Sequence, residues 1–161
     1  MMKEAPEGRL NKKIISVWRL SGLLLTLLLG VCLFGCVIAP ALLLKREILY
    51  FGIAGGITAL LLILLVFILP GIRWVRWRYA VYEDEIDIYR GIIVRKRIVI
   101  PLIRVQYTDT SQGPLLRAFK LADVNVSTAG GEQSIPGLKL EDADALRDRV
   151  ATLAKQVHEN V

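Results

Sequence analysis

The sequence predicts a two-helix membrane hairpin followed by a small all-β domain that ends in one helix. Three observations carry that fold class. Two long apolar runs, Leu20 to Leu44 and Ile48 to Leu69, stand almost back to back. Apolar and polar residues alternate after Pro70-Gly71, and the final segment returns to apolar spacings of three and four. The chain of 161 residues is 54% hydrophobic and yet 22% charged, so charge and apolar side chains must be segregated along it.

Each apolar run is long enough to cross the roughly 30 Å hydrocarbon core of a bilayer, which takes about 20 helical residues. Only Lys45-Arg46-Glu47 separates them. The second span must therefore turn straight back, leaving both ends of the chain on one side. Arg9, Lys12, Lys13 and Arg19 precede the first span, and Arg73, Arg76 and Arg78 follow the second, against Lys45 and Arg46 in the turn. Basic residues at span ends favour the cytoplasmic side, so both termini are expected there. The expected organisation is a cytoplasmic N-terminal segment at 1–19, a transmembrane hairpin at 20–69 with its turn at 45–47, and a cytoplasmic domain at 72–161 with room for a single core. The first run and its leader are too long for a signal peptide, and a second span follows directly. Leu33-Phe34-Gly35-Cys36 is a poor lipoprotein cleavage box, because Phe34 is too bulky.

Helices in lipid associate through small residues that let backbones approach. Gly52 and Gly56 form such a pair, and counting back from the turn sets Gly35 and Ala39, with Cys32 and Cys36 beside them, at a similar depth. These faces are expected to pack together. Contact with another copy of the chain is the rival use of Gly52 and Gly56. The cysteines, four apart with no His or acidic partner near, read as packing residues and not metal ligands. Neither span carries an ionisable residue, which argues against an ion or proton pathway. Trp18, Trp74 and Trp77 are expected interfacial anchors, since indole rings prefer the headgroup layer.

Beyond Pro70-Gly71, Tyr79-Ala80-Val81-Tyr82 leads into an acidic turn at Glu83-Asp84-Glu85, and Ile86 and Ile88 then alternate with Asp87 and Tyr89. Two strands follow from that. Ile92 to Ile100 reads as a third, interrupted by Arg95-Lys96-Arg97 and ended by Pro101. Ile103, Val105 and Tyr107 alternate with polar residues in a fourth. Pro114 suits the first position of a short helical turn over Leu115 to Leu121. Strands resume at Val124 to Thr128, turn at Gly130-Gly131, and return over Gln133 to Leu138, where Pro136 implies an edge or bulge. Ala143, Leu146, Val150, Leu153 and Val157 then mark an amphipathic helix that opens with Glu141 and Asp142 and closes with Lys155 and His158, matching its dipole.

The run Gln112-Gly113-Pro114-Leu115-Leu116-Arg117-Ala118-Phe119, followed by Leu121, Asp123-Val124-Asn125-Val126 and Thr128-Ala129-Gly130-Gly131, resembles the bacterial pleckstrin-homology-like domain of the YdbS-like membrane protein family. Tyr79, Tyr82, Ile86, Ile88, Gly91, Ile98, Pro101, Arg104, Val105 and Gln106 upstream fit the same pattern, as do Pro136-Gly137-Leu138 and the terminal helix. The resemblance covers nearly the whole chain. It implies a pleckstrin-homology-like fold of two antiparallel sheets closed by the C-terminal helix, in the inner membrane of a bacterium. It implies no particular reaction.

Catalytic chemistry finds little support. His158 is the sole histidine and stands in the last turn of a terminal helix without partners. Glu83, Asp84 and Glu85 lack the alternating oxygen ligands of a calcium loop, and Gly130-Gly131 lacks the lysine and helix of a phosphate loop. No catalytic residue, cofactor or metal is expected. Nucleic-acid binding is not expected either, because basic residues interleave with aromatics only beside the spans. The working expectation is a non-enzymatic inner-membrane protein that presents its domain to the cytoplasm, where it docks a protein partner, such as a larger membrane protein with the same domain, or forms a homo-oligomer. The alternative is a sensor of anionic lipid or the membrane surface, with Arg73, Arg76, Arg78, Arg95, Lys96 and Arg97 as headgroup contacts.

Overall fold

The computed structural model describes residues 8–44, 47–92 and 94–159. The chain divides into two compact units, one formed by residues 15–72 and the other by residues 1–14 together with 73–161.

The first unit is built from two long apolar helices. Helix α1 runs Ile14–Leu44. Helix α2, Glu47–Leu62, continues through a π-helical stretch, Ile63–Ile68, into α3, Leu69–Arg76. Leu27, Val31 and Leu60 are each about two-thirds exposed, as expected of helices whose outer faces meet lipid. Both helices exceed the expected spans. The first begins at Ile14 instead of Leu20, so Trp18 and Arg19 are helical. The second does not stop at Pro70-Gly71. Pro70 falls inside this continuous helical stretch, and just before it the Leu69 amide reaches back five residues to the Leu64 carbonyl. That wider turn provides room for the ring.

The expected packing faces of the hairpin are corrected. Nothing lies within 4 Å of a side chain built at Gly35, Gly52 or Gly56, and Cys32 and Cys36 are exposed; the side chain of Ala39 lies outside the described residues. The close approach instead runs through Gly22, where a Cβ would stand 2.7 Å from the Leu65 carbonyl oxygen, and Gly30, where it would meet Thr58 Cγ2 at 3.2 Å. Thr26 and Ala54 are 2% exposed on the same seam. The hydroxyls of Thr26 and Thr58 donate to the carbonyls of Gly22 and Ala54, each at 2.8 Å, so both are satisfied within their own helices. Phe34 stacks on Phe51 with centroids 6.1 Å apart. Depth counted from the turn does not set helix rotation: Gly35 is five residues from Gly30, about 140° around the axis.

The second unit is a six-stranded antiparallel fold in two sheets. Strands β1 (Arg78–Val81), β2 (Glu85–Arg90) and β3 (Lys96–Pro101) form the first, in the order β1-β2-β3. A 3₁₀ turn, Leu102–Arg104, leads into β4 (Val105–Ser111). After α4 (Pro114–Ala118), β5 (Leu121–Thr128) and β6 (Gly131–Lys139) complete the second sheet, in the order β4-β5-β6. The terminal helix α5 (Leu140–Glu159) packs on β4, β5 and β6. Ile86, Ile88, Leu102, Leu121, Val124, Val126 and Ile135 are fully buried, with Ala143 and Val150 of α5 closing the core. Each such aliphatic side chain contributes about 1.5–3 kcal/mol by leaving water.

Most strands stand where alternation expects them, with two changes: Ile103 falls in the 3₁₀ turn before β4, and β3 is shorter than expected. Strand β3 starts at Lys96, so the Arg95-Lys96-Arg97 cluster opens the strand and does not interrupt it. Pro136 does mark an edge and a bulge: β6 is the outer strand, and its register with β5 slips between Ala122 and Val124. The N-terminal residues also join this unit. Gly8 bridges to Tyr79, the Asn11 amide donates to the Gly137 carbonyl at 3.3 Å, and Leu10 and Ile14 are 3% and 1% exposed. Trp77 is 4% exposed, a core residue and not the interfacial anchor expected.

Candidate functional site

The basic residues flagged in sequence converge on α3 and the end of the β2–β3 hairpin. Antiparallel pairing of β1 with β2 sets Arg78 opposite Tyr89. These two, with Val75, Arg76 and Arg95, line a cavity of about 220 Å³. Arg73, Arg90 and Lys96 line a second of about 380 Å³, together with Trp77, Gly91 and Val94. The tight return of the hairpin depends on Gly91, whose φ of +126° excludes other residues. The Arg76 guanidinium donates to the Ile92 carbonyl and ties the turn to α3.

Like charges face each other here. Arg90 is directly opposite Lys96 in the β2–β3 register, a pairing that destabilises a sheet. Arg90 also donates from Nη2 to Gln133 Oε1 at 3.1 Å, which fixes the guanidinium but leaves its charge uncompensated by that neutral partner. Such an arrangement favours an anion, which removes the repulsion. Arg90 was missed in the sequence because its pairing with Lys96 depends on the register.

Arg97 does not join the cavities. It turns to Asp87, with Nη2 at 2.6 Å from Oδ2 and Nε at 3.1 and 3.0 Å from Oδ1 and Oδ2. Asp87 alternates with the buried isoleucines of β2 and so points to the other face of the sheet, yet its side chain has no exposure. The fork from Arg97 compensates that buried carboxylate, and the bonds it donates hold Arg97 above its ordinary pKa. Arg97 is thus a structural residue and not a free headgroup contact.

Trp74 also turns to its own unit: Nε1 donates to the Leu10 carbonyl at 2.9 Å, and Lys12 Nζ stands 5.9 Å over its ring. Trp18 is half-buried in the other unit. On β5, Asp123 accepts from the Gly137 amide at 2.7 Å. Burial pushes its carboxyl up, opposed by that bond and by Arg73. Burial likewise raises the Tyr79 phenol, with Asp142 adding to the shift.

A separate groove of about 810 Å³ runs along the outer edge of β3 to the β5–β6 hairpin, past Val99, Ile103, Arg104, Thr128 and Gln133. Val99 and Ile103 are 45% and 41% exposed. The hairpin beside it is closed by Thr128, whose hydroxyl accepts from the Gly130 amide at 3.2 Å and donates to the Gly131 carbonyl at 2.9 Å. Among the described residues no group of three His, Cys, Asp or Glu is gathered to hold a metal ion. Glu83 and Asp84 are exposed, and the side chain of His158 lies outside the described residues.

The family model of the bacterial PH domain matches residues 23–154. The chain is 42% identical over 162 residues to the UPF0699 transmembrane protein YdbS of Bacillus subtilis (strain 168), covering 99% of this chain and 100% of that relative. It is 32% identical over 93 residues to the UPF0699 transmembrane protein YdbT of the same organism, covering 55% of this chain and 19% of that longer protein. No solved structure matches the chain significantly. With its two long apolar helices and its six-stranded domain closed by a C-terminal helix, this transmembrane chain belongs to the bacterial PH domain family.

Proposed function

We propose that this protein is a non-enzymatic module of the bacterial cytoplasmic membrane, with both termini cytoplasmic, whose domain holds anionic lipid through the basic surface of α3 and the β2–β3 hairpin. The observation that carries the reading is the pair of arginine-lined cavities, with Arg76, Arg78 and Arg95 about one and Arg73, Arg90 and Lys96 about the other. Arg73 and Arg76 follow directly on the second apolar stretch, so covalent connection keeps them near the headgroup layer. The open, exposed setting of Glu83 and Asp84 supports the non-enzymatic reading. Hydrogen exchange on the full chain in nanodiscs tests it. Amides of residues 90–97 gain protection in anionic relative to zwitterionic lipid, lose it at high salt, and lose it in R78Q/R95Q. Equal protection in both lipids removes the reading.

The groove beside β3 favours a second role, docking of a protein strand. β3 is an outer strand, its backbone edge is not paired in a sheet, and apolar side chains flank it. A larger membrane protein with the same domain, or a second copy of this chain, suits that edge. A photocrosslinker at Val99 in native membranes yields a discrete adduct under this reading, and none without it.

A further inference from the structure

A different cluster of cations surrounds a cavity of about 470 Å³ where α4, the end of β6 and the start of α5 meet. Lys13, Arg117, Lys120 and Lys139 come to it from three separate segments, over an apolar floor that includes Phe119 and Leu121. We propose that this cavity is a discrete site for the phosphate group of an anionic membrane lipid.

The cavity is constructed, and its cations are not merely strewn over a surface. Gln112 donates from Nε2 to the Leu121 carbonyl at 2.8 Å, pinning the strand entry behind α4. Lys120 is held in the left-handed region, φ 55°, where non-glycine residues are disfavoured, and its amide donates to the Arg117 carbonyl at 3.1 Å. Lys13 is fixed from both sides. Its amide donates to Asn11 Oδ1 at 3.0 Å, and the next residue, Ile14, is buried against Gly137. Among the described residues, none of the four cationic side chains makes a hydrogen bond or ion pair within the chain. Glu141 is the one carboxylate in the lining, so a positive excess remains for an anion.

The lipid source follows from Lys13. It immediately precedes Ile14, the first residue of the first long apolar helix, so one wall of the cavity is covalently joined to a membrane span. A lipid phosphodiester is the anion that accompanies such a span, and lysine and arginine both recognise phosphate oxygens. The site shares no residue with the α3 and β2–β3 surface, so substitutions at each test the two proposals separately.

The test uses the full chain in a zwitterionic detergent and native mass spectrometry to count retained phosphatidylglycerol against phosphatidylcholine. The wild type retains phosphatidylglycerol preferentially. K139Q weakens retention about tenfold or more, K139R preserves it, and R149Q, which likewise removes one positive charge but from an exposed part of α5, leaves it unchanged. Equal retention of the two lipids, or an equal loss in R149Q, overturns the proposal. Displacement of the lipid by inorganic phosphate at comparable concentration overturns the lipid assignment in favour of a soluble ion.

Discussion

Replacing Gly137 with alanine should uncouple the N-terminal segment from the sheet. Gly137 has φ +67°, where an L residue costs about 1–2 kcal/mol. A Cβ there would also stand 2.5 Å from Ile14 Cγ1 and 2.6 Å from its Cβ and Cδ1. These are not the ends of a free side chain, since Ile14 is 1% exposed. Forcing a methyl group into such a contact costs about 1–3 kcal/mol. The two effects together amount to about 2–5 kcal/mol. For a domain of this size that lowers the midpoint of thermal unfolding by about 10–25 °C. Tryptophan fluorescence melts of the detergent-solubilised chain measure it, since Trp74 and Trp77 both lie in this unit. The decisive comparison is a double-mutant cycle with Ile14→Gly, which removes every atom named above. In that background Gly137→Ala should cost only the backbone share, about 1–2 kcal/mol. Strict additivity would refute the claim that Gly137 is glycine to receive Ile14, and with it the reason Lys13 is held at its cavity.

The hairpin seam gives an asymmetric expectation. Gly22→Leu collides with the Leu65 backbone and should shift the helices apart, detected as lost crosslinking between cysteines placed across the seam, whereas Gly56→Leu meets open space and should leave it intact. Asp123 carries a sign for pH dependence. Its carboxyl is raised by burial, so the folded state favours the proton, and its contribution is full below about pH 4 and is lost as pH rises through the raised value. Asp123→Asn retains an acceptor for the Gly137 amide, and should flatten that fall in melts from acid to neutral pH without lowering stability at neutrality. The ion pair on the outer face of the first sheet should respond unequally. Arg97→Met strands a fully buried carboxylate and should lower the melting temperature more than Asp87→Asn, which leaves the guanidinium free to reach water. Equal shifts in the two variants would contradict that account.

Much of the architecture was legible because it rests on local periodicity. Alternation at Ile86, Ile88 and Val124, Val126 selects one face of a strand whatever surrounds it, and Pro136 announces an edge because it cannot donate to a ladder. Helix rotation was not legible. Gly35, Gly52 and Gly56 are as small as Gly22 and Gly30, and only the crossing of the two helices selects which of them meet a partner. The basic site was half legible. Arg73, Arg76, Arg78, Arg95 and Lys96 stood out as a charge pattern, but Arg90 entered through strand register, and Arg97 left because a buried aspartate ten residues earlier claimed it. Trp77 was misread for a related reason, since its place beside a span says nothing of the core that receives it.

The cavity of Lys13, Arg117, Lys120 and Lys139 shows the same limit most plainly, as its members are scattered from one end of the chain to the other. The sequence by itself determined two helices of membrane-crossing length, a small alternating domain and a basic boundary between them, because hydropathy and period are properties of neighbouring residues. The tertiary structure alone decided which glycines touch, which arginines line a cavity and which lysines share another. Those outcomes depend on contacts between distant segments, whose geometry is set by the packed core and not by any local pattern.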